Sequence, residues 1–221
     1  MQKETGSRCE WLDVAKGYAI LLVVIGHMIQ FYLYPESYQT DLVYGLIYSF
    51  HMPFFFILSG FAASFSSVKE ISVNNVDKKI KRLIIPFVSW ALVNYLLSSL
   101  NGSFTLSRLL AYVCYPAGGG LWYLWALFFI YVIHASIIRL NSNNLYYRFL
   151  VLLLTYIILL RLSALLDGHF GMYEISRYFI FYALGFEINT ITRILKTHCM
   201  LIYTCMFAGL FTDNWGGASI R

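Results

Sequence analysis

RCEWLDVAKGYAILLVVIGH, residues 8–27, turns almost wholly apolar after Lys16 and then places one histidine, His27, inside the apolar run. A titratable group inside a membrane-length helix is costly, so it is read first as functional. On a helix, Lys16 and His27 share a face about three turns, or roughly 16 Å, apart along the axis. The Lys16 end can hold an anion at one membrane surface. The His27 end can hold a base near the other.

The rest of the chain agrees with a membrane setting. Of its 221 residues, 59% are hydrophobic, 19% aromatic and only 12% charged. A soluble domain carries about twice that charged fraction. Continuous apolar runs recur, long enough to cross a bilayer as helices, and their lack of alternation argues against a barrel. The expected fold is all-α, a polytopic transmembrane helix bundle of about seven spans. Those spans are expected near 16–33, 42–65, 83–100, 121–138, 149–166, 175–188 and 199–211, with 66–82 as a polar connection. No cleavable leader is evident. Cys9, Cys114, Cys199 and Cys205 form no CxxC pair and no metal-ligand spacing, so neither a disulfide framework nor a metal is expected.

The net charge of +5 does not point to nucleic acid, because its distribution follows topology. With the N-terminus inside, twelve lysines and arginines fall on the inner side. Arg108, Arg161, Arg177 and Arg221 fall outside. That bias predicts a cytoplasmic N-terminus in a multi-pass protein of the cytoplasmic membrane.

Depth then groups the titratable residues. His27, near the outer end of the first span, and His51, in the second, fall at similar depths, roughly 9 to 14 Å below the outer surface. They are the catalytic candidates, although a membrane histidine can also simply hydrogen-bond a neighbouring helix. Arg161, Glu174 and Arg177 fall in the outer half as well, and the last two can pair at i, i+3. Trp122 and Trp125 flank Tyr123 at the start of the fourth span, as an interface belt or as a stacking wall for a sugar. Gly60 reads as a close helix contact. On the inner side Lys79 and Arg82, at i, i+3, present two cations at the mouth of the third span, and Lys16 adds another. The run 78–82 can serve topology alone, or it can hold a phosphorylated ligand.

WLDVAKGYAILLVVIGH, SFHMPFFFILSGF, KKIKRLIIPF and GLWYLWAL, in that order over residues 11–127, resemble the integral-membrane acyltransferase family three. The nearest subgroup is the fucose 4-O-acetylase-like sugar O-acetyltransferases. Beyond about residue 140 the similarity is one of hydrophobic pattern. The resemblance implies transfer of an acyl group, often acetyl, from cytoplasmic acyl-CoA to a hydroxyl of an extracytoplasmic glycan or lipid-linked sugar. It implies His27 as catalytic base, and Lys16, Lys79 and Arg82 as the acyl-CoA site, while His51 stays a candidate from its depth. Trp122, Arg161 and Glu174 are the acceptor-site candidates. Acetyl-CoA enters as donor substrate, and no bound cofactor is expected. Many relatives have arginine where Lys16 and Lys79 stand, and lysine keeps the charge but loses the bidentate fork. Such proteins usually carry more spans, so residues 1–221 are expected to form one domain incomplete at its C-terminal end. A transporter or export subunit without chemistry, or an inactive fragment, is the competing expectation.

Overall fold

A computed structural model describes residues 10–65, 73–99, 107, 110–111, 114–116, 121–140, 145–189 and 191–192, and every regular element among them is helical. Helix α1 (Glu10–Met28) widens into a π-turn, Ile29–Leu33, and a short connection leads to α2 (Leu42–Ser64). Helix α3 (Val73–Lys79) runs through a second π-turn, Ile80–Ile84, into α4 (Ile85–Ser99). Helices α5 (Trp122–Leu140) and α6 (Leu145–Leu165) follow. Residues 172–189 form α7.

Among the described residues, five stretches are long and apolar enough to cross a membrane: Glu10–Leu33, Leu42–Ser64, Val76–Leu97, Trp122–Arg139 and Leu145–Leu165. They coincide with the first five expected spans. The sixth is a helix, but Glu174, Arg177 and Glu187 make it more polar than those five. The seventh, 199–211, lies outside the described residues.

The largest differences from expectation are at two boundaries, while α6 also begins a turn early, at Leu145. Helix α1 is already formed at Glu10, ahead of the expected Lys16, where Leu12 packs against Leu58 of α2. Glu10 and Asp13 also complement the helix dipole in its first turn. Residues 73–82, expected as part of a polar connection, are helical. Their polarity is that of a solvated helix end, and Asp77 and Lys81 close an i, i+4 salt bridge at 2.7 Å. Helix α2 has its own start signal: the Asp41 carboxylate accepts from the Tyr44 backbone N–H at 2.7 Å.

The core lies among α2, α5, α6 and α7 and includes the fully buried Phe56, Ile130, Phe179 and Tyr182. At its centre α2 and α7 touch backbone to backbone. A Cβ on Gly60 would overlap the Tyr182 carbonyl oxygen, and one on Gly185 would overlap the Ile57 carbonyl oxygen. Glycine at both positions removes the side chains that would hold the helices apart. Phe56 stacks on Tyr178 with centroids 4.8 Å apart, and Asn189 donates to the Ser64 hydroxyl at 2.7 Å. These contacts set α2 and α7 side by side and parallel. Helix α1 lies antiparallel to α2 through Leu12, Ala19 and Leu58, with Trp11 on Phe61 at one end and Gly26 against Tyr48 near the other. The opposite face of α1, with Leu21, Val24 and Ile25, is exposed and apolar, as a lipid-facing surface requires.

Candidate functional site

His27 stands in the last turn of α1, immediately before the π-turn. Such wide turns occur often at functional positions. Gly26 leaves room for an aromatic neighbour, since a Cβ there would lie 2.7 Å from Tyr48 Cε2. The Tyr48 hydroxyl donates to Gln30 Oε1 at 3.1 Å and lies 3.4 Å from His27 Nδ1. With the Tyr48 proton directed at Gln30, its oxygen is the acceptor for a proton on His27 Nδ1. The basic lone pair of His27 is then on Nε2. The imidazole is exposed and stacks on Phe31, with centroids 5.6 Å apart.

His51 belongs to the same cluster. Its ring meets Tyr48 edge to face at 4.6 Å, and it lies within electrostatic reach of His27. It is 3% exposed, and its Nδ1 donates to the Ile47 carbonyl at 2.8 Å, which also leaves Nε2 as the lone-pair nitrogen. Tyr44 stacks on Tyr48 at 4.0 Å and extends the aromatic wall. The fold thus brings the two expected histidines together and adds Tyr48 and Gln30 between and beside them. Tyr44, Tyr48 and His51 recur at i, i+4 and i+7, a helical spacing that places them on one face of α2.

Toward the other end of α1 the three expected cations converge. Lys16 and Arg82 both act electrostatically on the Lys79 ammonium, which lies 4.7 Å above the centroid of the Tyr131 ring of α5. Arg82 is carried by the second π-turn. Lys81, in the same turn, is occupied by Asp77.

The acceptor candidates separate. Glu174 lines a cavity of about 780 Å³ between α6 and α7, together with Arg177. Arg161 is exposed on α6 and is not part of that lining. Trp122 is half-buried and stacks on Tyr178 at 5.6 Å, continuing the aromatic column from Phe56 into the core. Trp125 uses its indole N–H to hold the Phe170 carbonyl at 2.8 Å.

One polar site has no counterpart in the sequence reading. Arg148 of α6 and Glu187 of α7 form a buried ion pair. His134 of α5, 1% exposed, packs on Tyr182 and Phe186 and lies within electrostatic reach of Arg148. Charged residues inside apolar helices are the signal that could have found it.

A model of the acyltransferase domain family matches residues 10–216. The chain belongs to that family. With five apolar helices among the described residues, this makes it a multi-pass membrane acyltransferase-family protein. The nodulation protein NolL of Mesorhizobium japonicum is 26% identical over 146 residues, covering 64% of this chain and 39% of that protein. The protein of the same name from Sinorhizobium fredii is 34% identical over 80 residues, 35% of this chain and 22% of that protein. The chain therefore matches well under half the length of either relative. No solved structure matches.

Proposed function

We propose that this acyltransferase domain moves an acyl group, acetyl in the simplest case, from cytoplasmic acyl-CoA to a hydroxyl of an extracytoplasmic glycan or lipid-linked sugar. The observation that carries the reading is the His27–Tyr48–Gln30 chain, which leaves a basic Nε2 on an exposed imidazole. A base needs a free lone pair and a fixed orientation, and this arrangement supplies both.

In the proposed step, His27 Nε2 takes the proton of the acceptor hydroxyl as its oxygen attacks the thioester carbonyl carbon. The tetrahedral intermediate collapses, the carbon–sulfur bond breaks, and the CoA thiolate leaves with the proton from the imidazolium. The Tyr48 oxygen steadies Nδ1–H while the ring carries its positive charge. His51, beside them, positions the cluster. Lys16, Lys79 and Arg82 would hold the phosphates of acyl-CoA with the N-terminus on the cytoplasmic side. The distance from Lys16 to His27, roughly 16 Å along α1, suits a long pantetheine arm. Glu174 and Trp122 would face the acceptor side, with Arg161 outside the cavity that Glu174 lines. The bound partners are acyl-CoA, the acceptor and lipid, and the reaction needs no further cofactor.

The test is a mass measurement of surface glycans from cells carrying the gene, lacking it, or carrying His27→Ala. Loss of one acetyl increment in the last two, at unchanged protein level, is expected. An intact increment with His27→Ala would remove the mechanism. Thiol release from acetyl-CoA in detergent, where no gradient exists, separates chemistry from transport.

A further inference from the structure

The cavity of about 780 Å³ between α6 and α7 has a floor and walls unlike a lipid-facing groove. Asp167 and Glu174 supply carboxylates, Arg177 a guanidinium, and Tyr115, Tyr156 and Tyr173 flat aromatic faces. The Arg177 guanidinium lies over the rings of Tyr173 and Tyr178 and donates to the Tyr173 hydroxyl at 3.3 Å.

The turn that brings Asp167 to this cavity is held in an unusual conformation. Asp167 (φ 48°) and Phe170 (φ 57°) are left-handed, as are Gly168 and Gly171. Non-glycine residues persist there only when their surroundings enforce it. Here the Trp125 indole holds the Phe170 carbonyl, and the Tyr115 hydroxyl bonds the His169 ring at Nε2. Gly171 is pressed between Pro116 and Trp125, where a Cβ would lie 2.9 and 3.1 Å from their side chains. Three separate contacts thus fix the backbone that presents Asp167.

Height ties this cavity to the histidine cluster. Helices α2 and α7 run parallel, with Phe56 opposite Tyr178 and Ser64 opposite Asn189. Stepping back the same distance along both helices sets His51 level with Tyr173 and Glu174. The cavity thus lies at the level of His51, and its lining holds none of His27, Gln30, Tyr48 and His51.

We infer that this cavity is a sugar subsite, binding a neutral, hydroxyl-rich ring of the acceptor beyond the one that is acylated, a deepening that rests on the acyl-transfer reading above. The carboxylates accept from ring hydroxyls, the guanidinium donates to them, and tyrosine faces cover the C–H face. Charges of both signs around one cavity suit a neutral polyol better than an ion. The volume lies in the range of ordinary ligand pockets.

The test uses the purified full chain in detergent and an array of neutral, acidic and amino-substituted di- and trisaccharides. Capture of at least one neutral saccharide is expected. Asp167→Asn and Glu174→Gln should each weaken it about tenfold, the loss of one charge-assisted hydrogen bond. Tyr156→Ala, which leaves the charges alone, should weaken it too, whereas Lys81→Gln, outside the lining, should not. No capture of a neutral saccharide, capture of charged saccharides alone, or capture unmoved by all three cavity variants would overturn the assignment. Thiol release from acetyl-CoA, measured on the same preparations, reads the acyl-transfer proposal separately. Saccharide capture without thiol release would sink that proposal and leave the binding site standing.

Discussion

Tyr48→Phe removes one oxygen from the candidate site and little else. The ring, with its contacts to Tyr44 and His51, stays in place. What goes is the donor to Gln30 and the acceptor for His27 Nδ1. A neutral hydrogen bond contributes about 0.5 to 1.5 kcal/mol net, and the 3.4 Å separation from His27 puts this one at the low end. About 1.4 kcal/mol is a factor of ten in rate, so the expected fall in kcat is about threefold and under tenfold. KM for acetyl-CoA should not move, because the cations that would grip it lie toward the other end of α1. The assay is thiol release from acetyl-CoA by purified protein, with thermal unfolding in detergent to check integrity. Gly26→Ala should give the same signature with the hydroxyl still present, since its new Cβ drives the Tyr48 ring away from His27. An unchanged kcat in both variants would refute the orienting role. A loss as deep as that of His27→Ala would show that Tyr48 itself handles the proton.

Other outcomes follow from the packing and the charges. Gly60→Ala and Gly185→Ala, which force backbone apart from backbone, should each cost about 1 to 3 kcal/mol or more. Gly45→Ala, with nothing near its Cβ, should stabilise by about 0.5 to 1 kcal/mol, and thermal shifts in detergent would show the opposite signs. Breaking the buried pair with Glu187→Leu should cost about 3 to 5 kcal/mol, and adding Arg148→Met should recover most of it. Equal melting temperatures of the single and double variants would argue against that coupling. Lys79→Met with Arg82→Met should raise KM for acetyl-CoA and leave saccharide capture unchanged, measured side by side.

Long continuous apolar runs made the first five helices legible, because only helices satisfy their own backbone groups across a bilayer. The pairing of His27 with His51 was legible from depth, since consecutive antiparallel helices return to the same level. Tyr48 was not, because in a chain with 18 tyrosines one more carries no contrast until its neighbour is known. Arg148 and Glu187 lie far apart in sequence, and no local pattern announces a pair made between helices. Residues 73–82 were hidden by their own polarity, which suits a solvated helix end as well as a loop. Trp122 shows the same limit: an aromatic at the start of a span fits a belt, a sugar wall or a core column equally well, and the structure stacks it on Tyr178.

The two π-turns, Ile29–Leu33 and Ile80–Ile84, each hold one residue more than regular coiling would. They are therefore the positions where the gene can lose a codon and the helix can still close. Such a deletion would leave the two flanks in phase and shift only the side chains of the turn itself. At the first, Gln30 would swing out of reach of Tyr48. At the second, Arg82 would leave the side it shares with Lys79. Natural variants one residue shorter at either place would keep their hydropathy profile and lose their chemistry, a distinction that profile-based sorting of sequences would miss.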